Sequence, residues 1–111
     1  MRPTRLTVAE LAGKLPTPEG HRWIAAWSLG DLELELYAPR GADTQRPHTR
    51  DELYVVVQGR GRFRRGGELV DFGPGDVLFA AAGETHRFEE FDEDLAVWVV
   101  FFGPEGGHGK G

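Results

Sequence analysis

The chain has 111 residues, 40% hydrophobic and 28% charged, with a formal net charge of −5 and no cysteine. That length holds one core, the composition excludes disorder, and the acidic balance argues against nucleic acid, whose binding needs basic surface to displace counterions. Without cysteine there are no disulfides, thiolate metal ligands or cysteine nucleophiles.

No apolar run approaches the roughly 20 residues of a membrane-spanning helix. No apolar stretch follows Met1–Arg5, so a secretory leader is not expected and a cytoplasmic location is. Ser28 is the only serine and has no histidine close in sequence, which disfavours Ser-His-Asp hydrolysis. Lys14 and Lys110 are the only lysines, one in an expected helix and one in a glycine-rich tail, leaving little room for Schiff-base chemistry. Histidine, carboxylate, arginine and tyrosine remain, a set suited to metal or acid–base work.

Thr7-Val8-Ala9-Glu10 has capping-box spacing, and Leu11 and Leu15 follow at helical intervals. A short helix is expected over Val8–Lys14, ended before Pro16 and covering one end of the fold. From His21 the period changes to two. Leu32, Leu34 and Leu36 alternate with Glu33, Glu35 and Tyr37 as in a half-buried strand. Valine-rich Leu53–Gln58 is the next strand. Arg62–Arg65 and Glu68–Phe72 flank Gly66-Gly67, a hairpin signal. Gly73-Pro74-Gly75 turns the chain into Asp76–Ala80, and His86–Glu90 and Leu95–Phe102 complete the series.

Leu95–Phe102 is apolar on both parities, so it must be covered on both faces, inside the sandwich or at a subunit interface; a homodimer is one expectation that follows. About eight strands at roughly ten-residue spacing, with no helix between them, suit an antiparallel sandwich or barrel. Eight strands make a barrel just wide enough for a small ligand or a metal. The organisation expected is an N-terminal segment over 1–20, a barrel over 21–102 and a mobile glycine-rich tail over 103–111 that includes His108. Arg60, Arg62, Arg64 and Arg65 are expected on a solvated strand face. Trp23, Trp27 and Trp98 are expected as core or interface aromatics, and His21 as structural or exposed.

His48, Glu52 and His86 carry the chemistry. Imidazole and carboxylate are good ligands for zinc, manganese, iron or nickel. His48 and Glu52 are an even number of residues apart and share a side in extended chain. His86 opens a later strand, which a barrel can bring opposite the first pair. Two histidines and a carboxylate leave coordination positions free for water or substrate.

Pro47-His48-Thr49-Arg50-Asp51-Glu52 and the following residues to Gly59 resemble the first motif of the cupin superfamily. His48 matches the second histidine of its His-x-His pair, Glu52 the glutamate and Gly59 the closing glycine. Gly75, Gly83 and His86 fall in register with the second motif, and the resemblance runs from about Leu32 to Phe102. It implies an all-β antiparallel cupin barrel, of the double-stranded β-helix or jelly-roll type, with a short N-terminal helix. It also implies one divalent metal ion held by His48, Glu52 and His86.

Arg46 stands where the first histidine would, Ala81 where the proline would and Glu90 where the asparagine would. Gly41 lies one residue closer to the histidine pair than the motif's opening glycine. Arginine stays protonated and cannot ligate a metal, so three ligands remain unless Gln45 or a water fills the gap. Arg46 has two readings, a clamp for a substrate carboxylate or a solvent-facing loop arginine. Glu90 likewise is a pocket base or one of the acidic run Glu89–Asp94. Tyr54 and Gln58 share parity with Glu52 and can line the barrel. The function expected is metal-dependent action, of dioxygenase or isomerase type, on a small polar or anionic molecule. The alternatives are a non-catalytic small-ligand module and a structural homodimer with a degenerate site.

Overall fold

The computed structural model describes residues 3–108. One helix, α1 (Val8–Ala12), precedes eight strands: β1 (Trp23–Leu29), β2 (Leu32–Tyr37), β3 (Asp51–Gln58), β4 (Gly61–Arg65), β5 (Glu68–Phe72), β6 (Val77–Ala80), β7 (His86–Glu89) and β8 (Ala96–Phe102). The helix is shorter than its sequence pattern suggests. Its start is the expected cap, in which the Glu10 N–H donates to the Thr7 hydroxyl at 3.2 Å.

The strands form a five-stranded sheet, β1-β2-β8-β3-β6, and a three-stranded sheet, β5-β4-β7. Every strand pairing is antiparallel. Between the sheets lies a core that includes Tyr54 and Val56 of β3, Phe63 of β4, Phe72 of β5, Phe88 of β7, and Val97, Val99 and Phe101 of β8. Full burial of each such side chain contributes about 1.5–3 kcal/mol. The rings of Tyr54, Phe63, Phe72 and Phe88 meet at centroid distances of 5.0–5.6 Å, tilted or edge-on.

The other parity of β2 and β8 faces outward, and α1 covers it. Leu11 of the helix clusters with Leu36, Ala38 and Ala96, with Val8, Leu15, Ile24 and Trp98 packed against them. The helix thus lies on the outer face of the five-stranded sheet and not over an end of the barrel. This arrangement also explains why β8 is apolar on both parities. One face meets the core, while on the other Ala96 and Trp98 join the helix cluster and Val100 and Phe102 stay half-buried. The exposed apolar side chains lie elsewhere, among them Trp23 and Leu29 on edge strand β1 and Val77 and Phe79 on edge strand β6.

Two glycines of the family pattern have physical reasons. Gly59 has φ +89°, and a Cβ there would sit 2.7 Å from the Leu95 Cα, so a side chain is excluded where the chain passes from β3 to β4. Gly83 has φ +76° and donates its N–H to the His48 carbonyl at 2.7 Å, tying the loop before β7 to the loop before β3.

The described part of the tail, residues 103–108, makes specific bonds that composition did not suggest. The Gly106 N–H donates to the Thr49 carbonyl at 2.7 Å, and the His108 N–H to the Asp51 carboxylate at 3.1 Å. His108 Nδ1 also lies 2.9 Å from Asp51 Oδ2. Lys110 lies outside the described residues.

Candidate metal centre

Glu52 occupies the inward parity of β3, opposite Phe101 of β8 on one side and Ala80 of β6 on the other. A carboxylate placed there is costly unless cations or hydrogen bonds meet it, and only 1% of the residue's surface remains exposed. Two histidines converge on it. His48 approaches from the loop before β3, its Nδ1 2.9 Å from Oε1, with its ring edge-on to Phe101 at 5.0 Å. His86, the first residue of β7, brings Nε2 to 2.6 Å from the same oxygen. The Gly83–His48 bond and the Ala82 N–H bond to Asp51 Oδ1 at 3.0 Å hold these two loops together. The histidine rings come to rest with centroids 5.6 Å apart.

His86 Nδ1 lies 2.7 Å from the Glu84 carbonyl oxygen. A carbonyl only accepts, so Nδ1 carries the hydrogen and Nε2 presents its lone pair. Nε2 and Glu52 Oε2 are both buried without a hydrogen-bond partner among the described residues. The 2.6 Å approach of Nε2 to Oε1 is therefore a close contact without hydrogen-bond geometry. Two acceptors at that separation require a cation, a proton or a metal ion.

Burial pushes the Glu52 carboxyl up, but the two imidazoles outweigh it and hold the group below its ordinary value. Burial pulls His86 down, while Glu52 and the Glu84 carbonyl outweigh it and raise the ring. The ligand atoms of His48, Glu52 and His86 all lie within 4.8 Å of one another. Two imidazole nitrogens and a carboxylate oxygen, with an orphaned acceptor on two of the three residues, are a donor set that a divalent ion fits.

The other expected site residues divide. Gln45 lines the cavity above this group, but its side chain is committed elsewhere and does not supply a fourth ligand. Its amide nitrogen donates to Asp43 Oδ2 at 2.8 Å, and its oxygen accepts from the Tyr54 hydroxyl at 3.2 Å. Tyr54 is fully buried and belongs to the core, with its ring 6.0 Å from His86. Arg46 lines the cavity and is solvent-exposed, so both of its readings apply.

Glu90 is not in the site. It lies beyond the end of β7 with φ 49°, so the parity counted from His86 breaks, and its exposed carboxylate sits 3.8 Å from Arg62. Gln58 is also exposed, its amide donating to the Asp94 carbonyl at 2.8 Å.

Three contributors were missed. Asp43 pins the loop above the site, accepting from the Tyr37 hydroxyl, the Gln45 amide and the Phe88 N–H. Arg22 and Glu35 line the same cavity as His48 and Glu52. Burial pushes the Glu35 carboxyl up to about 7, opposed by the nearby His48. No local signal in the sequence marked it, since Glu35 points inward only through the pairing of β2 with β8, where it lies opposite Val99. The polar side of the leucine–glutamate alternation faces the cavity, and Leu36 faces the helix.

A model of the cupin domain matches residues 33–102. An uncharacterized protein of Streptomyces coelicolor is 44% identical over 77 residues, covering 68% of this chain and 73% of that one. The chain belongs to the cupin family. Among solved structures, a protein from Thermus thermophilus superposes with a TM-score of 0.70 at 24% identity, over 94% of this chain and all of that one. A cupin superfamily protein from Desulfitobacterium hafniense superposes with a TM-score of 0.60 at 17% identity, over 72% of this chain and 74% of that one. These likenesses extend to the fold. The particular member is a small cupin with a His48/Glu52/His86 group able to bind a metal ion.

Proposed function

We propose that this cupin binds one divalent ion through His48, Glu52 and His86 and acts on a small polar or anionic molecule in the cavity above it. The observation that carries this reading is the buried pair of unpartnered acceptors, Glu52 Oε2 and His86 Nε2. A divalent ion with three protein ligands keeps open positions, where it polarises an oxygen ligand or lowers the pKa of a bound water. The chain's own residues do the rest. The Glu84 carbonyl fixes the tautomer of His86, Phe101 braces the His48 ring, and Asp43 holds the Gln45–Pro47 segment over the opening. Arg46 is positioned to orient the substrate. The reaction types this suits are those of cupin dioxygenases and isomerases, in a cytoplasmic protein.

The test is elemental analysis of protein purified without affinity tag or chelator, beside the His86→Ala variant. Near-stoichiometric zinc, manganese, iron or nickel that disappears in the variant supports the site, and no metal in either sinks it. A second reading is favoured by Arg46, which occupies the motif position of the missing first histidine and cannot ligate a metal: a binding module without turnover. Ligand binding without product, or without oxygen consumption by the iron-loaded protein, would select it. Self-association through the exposed apolar residues of β1 and β6 is a further part of the proposal. A clean monomer by light scattering overturns that part.

A further inference from the structure

Above the histidine–glutamate group the structure holds a cavity of about 490 Å³, within the range of small-molecule sites. Its charged lining keeps its cations apart from its acids. Arg22 and Arg46 both line it, and among the described residues neither has a carboxylate within ion-pair distance; Arg5, Arg40 and Arg60 share that lack but do not line the cavity. What sets Arg22 and Arg46 apart is that both unpaired guanidinium groups border one concavity.

The acids of the cavity do not answer them. Glu52 is engaged by two imidazoles. Glu35 is half-buried, burial raises its carboxyl to about 7, and it forms no ion pair with either arginine among the described residues. Arg22 is also held in place, its Nε donating to the Ala38 carbonyl at 2.8 Å. Burial and the neighbouring Arg40 both disfavour its charge, a cost that a bound anion relieves.

We infer that the mouth of this cavity is a carboxylate site, with Arg22 and Arg46 as its cationic walls and a small organic acid as its ligand. A guanidinium meets a carboxylate with two parallel hydrogen bonds. The same cavity presents Trp23, Pro39, Val99 and Phe101, an apolar lining that takes a carbon skeleton and that inorganic phosphate would leave uncovered. The ligand's body then lies between the arginines and the His48–Glu52 end. This names the substrate class of the reading above and rests on that reading for the cavity's role, but its grip is the two arginines and not the metal.

The test is isothermal titration of chelator-stripped protein at pH 7 with acetate, succinate and glutarate, and with inorganic phosphate for comparison. The expected result is saturable one-site binding of at least one organic acid, with phosphate at least tenfold weaker. Arg46→Ala should weaken it about tenfold or more, the scale of one lost charge-assisted hydrogen bond. Arg46 has no structural bond to lose, so this variant keeps the fold. Arg22→Lys, which retains the charge and loses the fork, should weaken binding several-fold, with unchanged thermal melting showing that β1 is intact. Arg62→Ala, on the far sheet, should bind as the parent does.

Binding that Arg46→Ala leaves unchanged, or no binding by any of the acids, overturns the inference. Phosphate equal to the acids overturns the organic-acid class. Binding that appears only after metal is restored assigns the anion to the metal and overturns the arginine site. A metal analysis that finds nothing, with arginine-dependent binding intact, sinks the metal reading and leaves this one standing.

Discussion

Two groups of arginines in the molecule, those of the three-stranded sheet and the pair bordering the cavity, have different environments. On the three-stranded sheet, Arg62 lies 3.4 Å from Asp71, Arg64 2.7 Å from Glu89, Arg65 3.2 Å from Glu68 and Arg87 4.0 Å from Glu89. Those pairs run mostly across the strands, with Arg62 directly opposite Asp71 in the β4–β5 ladder. They are a solvated face whose charges cancel locally. On the cavity, Arg22 and Arg46 have no carboxylate within ion-pair distance among the described residues, Glu52 lies against the histidines, and burial raises Glu35 to about 7. Charge matched within the chain is solubility, and charge left unmatched in a concavity points to a ligand.

The largest effect that sharpens this contrast is at the floor of the cavity. His86→Ala removes the proposed ligand, a residue 3% exposed whose ring is held by the Glu84 carbonyl. Metal affinity should fall by more than the roughly 10–100-fold typical of losing an outer-shell partner. Competitive titration with a chromophoric chelator measures it, and a change under tenfold would count against His86 as a ligand.

Metal affinity should also depend on pH, since protons compete for the ligating nitrogens. Because the raised His86 binds its proton more tightly than a free imidazole, the loss should begin above the ordinary histidine value of roughly 6.5 and grow as pH falls. The same titration repeated from pH 8 to pH 5 checks this, and a flat profile argues against histidine ligation.

Most of the strand positions, the floor of the site and two of its wall residues, Gln45 and Arg46, were legible in the sequence, and the rest of the walls was not. Period-two runs and glycine punctuation placed β2 to β8 within a residue or two, because strand parity and turn chemistry are local. His48, Glu52 and His86 stood out because their types and spacing are those of a metal site in the family pattern. Glu35 was illegible because which parity of β2 faces inward is settled only by its tertiary pairing, and Arg22 because it lies before β1 and meets the cavity only in the folded chain. Glu90 misled for a related reason, since one left-handed residue after β7 ends the alternation from which its direction was inferred.

Glu35 gives a smaller effect, and its sign follows from linkage. Its folded value, about 7, lies above the ordinary 4.5, so the folded state binds more protons than the unfolded state between those values. Its contribution to stability is fully present below pH 4.5, is lost as pH rises toward 7, and is constant beyond. Glu35→Gln has no such dependence. Measured without metal, the variant should gain on the parent across that window, by on the order of 1–2 kcal/mol above pH 7 once solvent in the open cavity is allowed for. Parallel stability curves for the two proteins from pH 4.5 to pH 8 would mean that Glu35 is solvated like a surface acid.

The smallest effect expected is on the matched face, and its smallness is what the comparison requires. Arg62→Ala breaks contacts to Asp71 and Glu90 whose side chains are 88% and 71% exposed. Exposed pairs gain little Coulomb energy in water and are screened by salt, so stability should change by no more than about 0.5 kcal/mol in urea titration. Organic-acid binding at the cavity should be unaltered, because the lost charge was already cancelled by its neighbours. A loss of binding equal to that of Arg46→Ala would show that the cavity responds to the total charge of the protein. The distinction between matched and unmatched arginines would then have no functional content.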